Sequence, residues 1–280
     1  MNARPPAVGL AAWRLPRTGP SALDTAVALR ADGVQFDLGG PGRGEWIDAP
    51  ATVEALRARS RHTGVALLGL AVNVLNDIGL TAPPGSRRAL DVRRTLIRAL
   101  DAAHRLGMPM VFVPSFRRSA VDGPEALRRT VTVLRWAVTE AAARGLLLAS
   151  ENVLDPAGAA ALAEGVAHPR FRLLLDTYNP RLAGLDVPAL VAAAAPHWAD
   201  QIHLKDGAAG SGSAPLLGDG DGQVAATLAA VARHRLPLRA LVLENDYRDG
   251  DLVRARQDVA RARTLAARLV PDAAPTREHP

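Results

Sequence analysis

Eight short apolar runs alternate with amphipathic stretches along the chain. The runs read PAVGLAA, GVQFDLG, GVALLGLAVN, PMVFVPSF, LLLASEN, FRLLLDTYN, DQIHLKD and RALVLEN. Most are near-continuous series of Val, Leu, Ile and Ala, the composition of strands buried on both faces. Between them lie helical patterns: SALDTAVALRA, ATVEALRARSRH, roughly residues 86–106, a stretch ending at Arg144, PAGAAALAEGVA, VPALVAAAAPHW, QVAATLAAVARHR and LVRARQDVARARTLAARL. Gly107 and Gly145 are expected helix stops, and Asp122 with Glu125 an expected capping box. Eight βα units of about 30 residues each predict a single (β/α)8 TIM barrel of parallel strands, with its active site at the C-terminal strand ends. The barrel is expected to span residues 1–270, followed by a disordered tail over 271–280. The rival, an open doubly wound sheet, usually carries a Gly-rich loop after its first strand, and PAVGLAAWRLP has none.

Composition narrows the function classes. The 280 residues are 48% hydrophobic but only 4% aromatic, so the core is built from Ala, Leu and Val. Without cysteine there is no disulfide, thiolate catalysis or Cys-based zinc site. No apolar run is long enough to span a membrane, and MNARPPAVGL lacks the apolar stretch of a signal peptide, so a soluble cytoplasmic protein is expected. The net charge of +6 invites a nucleic-acid reading. However, Lys205 is the only lysine, and the arginines are scattered along helices and often alternate with acids. They read as solvated helix faces, and no nucleic-acid partner is expected.

Candidate chemistry concentrates in the last four runs. Each places a ligand-type residue at its carboxyl end: Glu151, Asp176, His203 and Glu244. On neighbouring strands of a barrel these would surround one half of the mouth. Three acids and an imidazole gathered there would repel one another without a cation, and as a set they suit a hard divalent ion. The expected cation is Mn²⁺, with Mg²⁺, Co²⁺ and Zn²⁺ as alternatives. Two glutamates flanking a bound substrate are suited to taking a proton from one carbon and returning one elsewhere. The metal would polarise a carbonyl and stabilise an enediolate.

The order Glu, Asp, His, Glu on strands five to eight resembles the sugar phosphate isomerase/epimerase family, the xylose isomerase-like TIM barrels. HPRFRLLLDTYN is similar to that family's sixth-strand motif, and IHLKD followed by PLLGDGDG is similar to its seventh strand and the loop after it. The resemblance is specific over about residues 145–250. It implies that Glu151 and Glu244 are metal ligands doubling as the acid/base pair, and that Asp176 and His203 are purely ligands. Two positions depart from the family's ketose epimerases: Asn179 stands where they have a His, and DGAAGSGSA stands where they often place an Arg.

Other residues are candidates by position. Lys205 lies two residues past His203, on the same side of an extended strand, suited to an oxyanion or to an ion pair with Asp206. Asn179, Asn152 and Asp246 are substrate or supporting candidates. Trp13, Gln35, Asp37, Asn73, Ser115 and Arg117 fall at early strand ends; of these Trp13, as an apolar wall, and Asn73 are expected to touch substrate. His104 reads as a surface or packing residue. GDGDG at 218–222 lacks the Lys-Ser of a phosphate loop and the terminal Glu of a calcium loop, and reads as a flexible turn.

The expected function is therefore a divalent-metal-dependent isomerase or epimerase acting on a sugar or polyol-derived carbonyl compound through an enediolate. Its partner is a small carbohydrate-like molecule, and a homo-oligomer is within expectation. The alternative is a metal-dependent lyase or dehydratase on a related keto-sugar or natural product. A distant third is a metal nuclease of the apurinic-site endonuclease type.

Overall fold

The computed structural model describes residues 4–207 and 215–270, so the expected tail at 271–280 lies outside the described residues. The strands are β1 Ala7–Ala11, β2 Gly33–Asp37, β3 Ala66–Ala71, β4 Met110–Pro114, β5 Leu147–Glu151, β6 Phe171–Asp176, β7 Trp198–Leu204 and β8 Ala240–Leu243. All neighbouring pairs are parallel, and β1 pairs with β8 to close the barrel. The eight predicted runs are these eight strands.

The helices are α1 Ser21–Leu29, α2 Pro50–Thr63, α3 Leu75–Ile78, α4 Arg87–Leu106, α5 Gly123–Ala143, α6 Pro156–Val166, α7 Asn179–Leu182, α8 Val187–Ala193, α9 Val224–Arg233 and α10 Leu252–Ala267. In α4 the buried residues Val92, Leu96, Ala99, Ala103 and Leu106 recur every three or four positions and form one stripe against the strands. Gly107 stops this helix in a left-handed conformation, φ 68°, as its sequence position predicts. The short α3 and α7, on the loops after β3 and β6, are too brief to show a period. Among the described residues, no helix is long and apolar enough to cross a membrane.

The expected capping box is not formed. Asp122 sits at the N-cap of α5 but makes no cap hydrogen bond. Glu125 instead accepts from Arg128 and Arg129, which face it one helical turn on. The arginines, not the backbone, win the carboxylate.

One irregularity matters for the site. The β2–β3 ladder pairs Val34 with Leu67 and Gln35 with Gly69, so Leu68 is an extra, bulged residue. Its side chain lies over Gly9 and Gly33, where an added Cβ would come within 2.4 and 2.6 Å of it. Two glycines on adjacent strands thus make room for one leucine at the barrel axis.

Candidate metal centre and active site

Strand register brings the four ligand-type residues together. Glu151 and Asp176 are the last residues of β5 and β6, His203 is next to last in β7, and Glu244 follows β8 directly. Asp176 pairs with His203 across the β6–β7 ladder, and the Glu244 amide donates to the Leu204 carbonyl at 2.9 Å. One ligand atom from each residue lies within 4.8 Å of the others, and all four side chains are buried. His203 Nδ1 is 3.6 Å from Glu244 Oε2 and 3.8 Å from Glu151 Oε2.

Each ligand is held by its far atom. Asp176 Oδ1 accepts from the backbone amides of Tyr178 and Asn179. Glu244 Oε1 accepts from Trp13 Nε1 at 2.9 Å and from Arg14 Nε and Nη2 at 3.2 and 3.1 Å. Glu151 Oε1 accepts from Asn179 Nδ2 at 3.0 Å, and Asn179 Oδ1 accepts from Lys205 Nζ at 3.0 Å. The near atoms Asp176 Oδ2, His203 Nδ1 and Glu244 Oε2 are buried without any hydrogen-bond partner. Buried polar atoms are normally satisfied, and three orphaned acceptors converging on one point fit a divalent cation.

The histidine tautomer is set from across the barrel. The carbonyl of the bulged Leu68 can only accept, so Gln201 must turn Nε2 toward it, at 2.8 Å. Gln201 Oε1 then accepts from Gln35 Nε2 at 2.9 Å, and Gln35 Oε1 accepts from His203 Nε2 at 2.7 Å. The proton of a neutral imidazole is thereby fixed on Nε2, and the lone pair on Nδ1 points at the carboxylates. Phe112 packs edge-on against the imidazole, with centroids 5.2 Å apart, and Trp13 lies 6.2 Å away.

Electrostatics agree with a cation site. Burial pushes the Asp176 carboxyl up to about 7, with Glu244 and Glu151 adding to the shift against the pull of Lys205 and His203. For His203, burial opposes protonation, but the Glu151 and Glu244 carboxylates outweigh it and raise the pKa. Glu244 behaves oppositely: burial would raise it, yet Lys205, His203 and Arg14 together hold it down at about 2. A divalent ion at this point would compete with protons for the same buried atoms.

A cleft of about 580 Å³ opens above this floor. Trp13, Asn73, Asn179 and Lys205 line it, as do Glu151 and Glu244. Asn152 does not: its side chain bonds Ser150 Oγ and the Leu154 amide, tying its own loop. Asp246 is taken by Arg248. Lys205 has no pair with Asp206, because the Asp206 carboxylate is wrapped by the amides of Gly207, Gly218, Gly220 and Gly222. An added Cβ at Gly220 or Gly222 would come within 2.3 or 2.6 Å of that carboxylate, so these two glycines of GDGDG serve close approach, while Gly218 supplies a left-handed turn, φ 93°. Two residues that hold this cluster were not apparent from the sequence. Arg14 sits one position past Trp13, and Gln201 lies two before His203, so the two-residue strand period placed Gln201 on the ligand face.

Comparison with known proteins identifies the family and the fold. The family described as xylose isomerase-like TIM barrel matches residues 23–265. A relative from Actinoplanes sp., named 2-epi-5-epi-valiolone 7-phosphate 2-epimerase, is 52% identical over 259 residues, 92% of this chain and 94% of its own. Among solved structures, a xylose isomerase domain protein from Planctomyces limnophilus has a TM-score of 0.74 at 20% identity, covering 95% of this chain and 98% of its own. D-Psicose 3-epimerase from Clostridium cellulolyticum H10, solved with D-tagatose, has a TM-score of 0.71 at 13% identity, covering 94% and 99%. At these identities the two structures attest the shared fold.

Proposed function

The chain belongs to the xylose isomerase-like TIM barrel family, and on that premise we propose that it is a metal-dependent epimerase of a phosphorylated, sugar-like ketone. The observation that carries this reading is the convergence of Glu151, Asp176, His203 and Glu244 with their near atoms unpartnered at the cleft floor. The 52% identity to a valiolone-phosphate 2-epimerase supports inversion at the carbon beside a ketone, in preference to elimination. A nuclease reading gains nothing from a cluster with a single histidine.

A bound divalent ion, with Mn²⁺ the first candidate, would supply a Lewis acid for adjacent carbonyl and hydroxyl oxygens. The chain's own residues do the rest. Glu151 and Glu244 come from β5 and from just after β8, each tethered through Oε1 with Oε2 turned inward. One glutamate accepts the proton from the carbon next to the carbonyl, giving an enediolate. The other, which enters the step protonated, gives its proton to the opposite face, which inverts that centre and leaves the two glutamates with their protonation states exchanged. Asn179 orients Glu151 and is itself oriented by Lys205, whose Nζ lies 4.0 Å from Glu244 Oε2. Lys205 thus sits between the two glutamates, suited to steadying negative charge on a substrate oxygen. Trp13 and Phe112 keep the His203 side of the floor apolar.

The test is incubation with 2-epi-5-epi-valiolone 7-phosphate in deuterated buffer with Mn²⁺. A single deuterium at carbon 2 and a new epimer are expected by NMR. No exchange at any carbon beside a carbonyl, for this ketone and related ketoses, would end the reading.

A further inference from the structure

Four arginines line the cleft, and their counter-ions differ. Arg14 spends Nε and Nη2 on Glu244. Arg248 donates to both oxygens of Asp246 in a one-to-one pair. Arg43 and Arg117 instead share one carboxylate: Arg43 Nε donates to Asp77 Oδ2 at 2.8 Å, and Arg117 Nη2 donates to Asp77 Oδ1. Two guanidiniums on one acid leave a surplus positive charge. Among the described residues, Arg43 donates only through Nε and Arg117 only through Nη2, so most of both forks stays open for a ligand. Asp37 is near enough to feel Arg43 and offsets part of this charge when ionised, but among the described residues it makes no hydrogen bond to Arg43; its Oδ1 accepts from the Asn73 amide at 3.1 Å.

These side chains stand on braced loops. Arg43 follows β2 in a turn closed by the Gly40–Gly44 bridge. Asp77 lies in α3, after β3. Arg117 opens the turn after β4, and that turn is fastened to α3 and the residues just after it at three points. The Phe116 amide donates to Asn76 Oδ1 at 2.9 Å, Ser119 Oγ donates to the Leu75 carbonyl at 2.7 Å, and the Leu80 amide donates to Ser119 Oγ at 2.7 Å. Gly79 lets the two segments meet: a Cβ there would lie 3.1 Å from the Arg118 carbonyl. Arg117 holds a left-handed backbone, φ 52°, a conformation that side-chain-bearing residues avoid and that clusters at ligand sites.

The cleft is therefore bipolar. Its β5–β8 floor is acidic and suited to a cation; its β2–β4 rim carries surplus guanidinium. We propose that Arg43 and Arg117, bridged by Asp77, bind the phosphate group of the substrate. A phosphate dianion matches two open guanidinium forks, which bind its oxygens in planar, charge-assisted pairs. The inference rests on the phosphorylated-ketone reading above, and it adds the orientation: the phosphate lies over the first four strands and the reacting carbon over the last four.

Two measurements test it. In the first, KM and kcat are compared for the 7-phosphate and for the same ketone without phosphate. Arg43→Ala and Arg117→Ala are each expected to raise KM for the phosphorylated substrate about 10- to 100-fold, the loss of one or two charge-assisted bonds, with kcat nearly kept. KM for the unphosphorylated ketone is expected to stay unchanged. Arg43→Lys and Arg117→Lys, which keep charge but lose the fork, should fall between. In the second, inorganic phosphate is titrated calorimetrically into wild type and each variant. Binding by wild type that weakens at least about tenfold in both alanine variants supports the site. Equal phosphate affinity in wild type and variants, no phosphate binding by wild type, or a loss confined to Arg248→Ala would each overturn it. Because this titration needs no turnover, it decides the phosphate site even if the epimerase reading fails.

Discussion

Strands β5 to β8 deliver the four side chains proposed to hold a cation from their own ends, whereas β1 to β4 deliver their polar groups mostly from the loops beyond. Glu151, Asp176 and His203 are strand residues, and Glu244 is one step past. Arg14, Arg43, Asp77 and Arg117 all lie outside the strands. The first half reaches the reaction indirectly: Gln35 fixes the proton of His203, and Trp13 and Arg14 hold Glu244. The lesson is a division of labour. Groups that must meet within a few ångströms are placed by β-ladder register, which is rigid. Groups proposed to recognise the substrate are placed by loops, which generally differ between relatives more freely.

The sharpest way to break this comparison is at the floor. Glu151→Gln and Glu244→Gln are each expected to reduce turnover by at least about 10³-fold, as loss of a positioned acid or base does, with the thermal transition preserved. Deuterium incorporation at the reacting carbon is the readout. Substantial exchange in both variants would mean that another residue moves the proton.

Next in size is the link between halves. Gln201→Leu removes no proposed ligand but frees Gln35 and His203 to turn. It is expected to weaken metal affinity about 10- to 100-fold, the usual effect of losing a group that orients a ligand. Competition with a fluorescent chelator measures this. Unchanged affinity would show the two halves to be independent.

A third test uses pH on the recognition half. Burial pushes Asp37 up to about 6, above the ordinary 3.8. The folded chain thus holds this proton after the unfolded chain has lost it. Stability is undiminished below about pH 4, falls as pH rises to about 6, and stays reduced above. Asp37→Asn keeps an acceptor for the Asn73 amide and removes the charge. It is expected to stabilise by about 3 kcal/mol at pH 8 and hardly at all at pH 4, judged by urea unfolding at both. Equal effects at the two pH values would show that the carboxylate is not buried at a cost.

The smallest contrast is in the helix starts. Asp155 caps α6 by accepting from the Gly158 amide at 2.7 Å, while Asp122 makes no such bond at α5. Asp155→Ala should cost about 1 kcal/mol and Asp122→Ala only a few tenths.

The same contrast explains what could be read from the chain. The eight strands were legible because burial on both faces makes most of them near-continuous apolar runs. Glu151, Asp176, His203 and Glu244 were legible because each closes such a run. Arg117 stood out as a residue near a strand end, but Arg43 and Asp77 did not, since nothing in a loop's local sequence says which distant loop it meets. The expectation for Asn152 fails for a related reason. An asparagine beside Glu151 shares its strand end, yet neighbours along a strand point to opposite sides, and Asn152 turns to its own backbone.

The bulge at Leu68 has a consequence for how this barrel could be recombined. Half-barrels are natural units to exchange, and β5–β8 with its four proposed ligands looks self-sufficient. It is not: the acceptor that orients its imidazole is a carbonyl on β3, exposed to Gln201 by one surplus residue and accommodated by Gly9 and Gly33 on two further strands. A chimera joining this second half to a foreign first half would inherit every ligand and lose the instruction for using one of them.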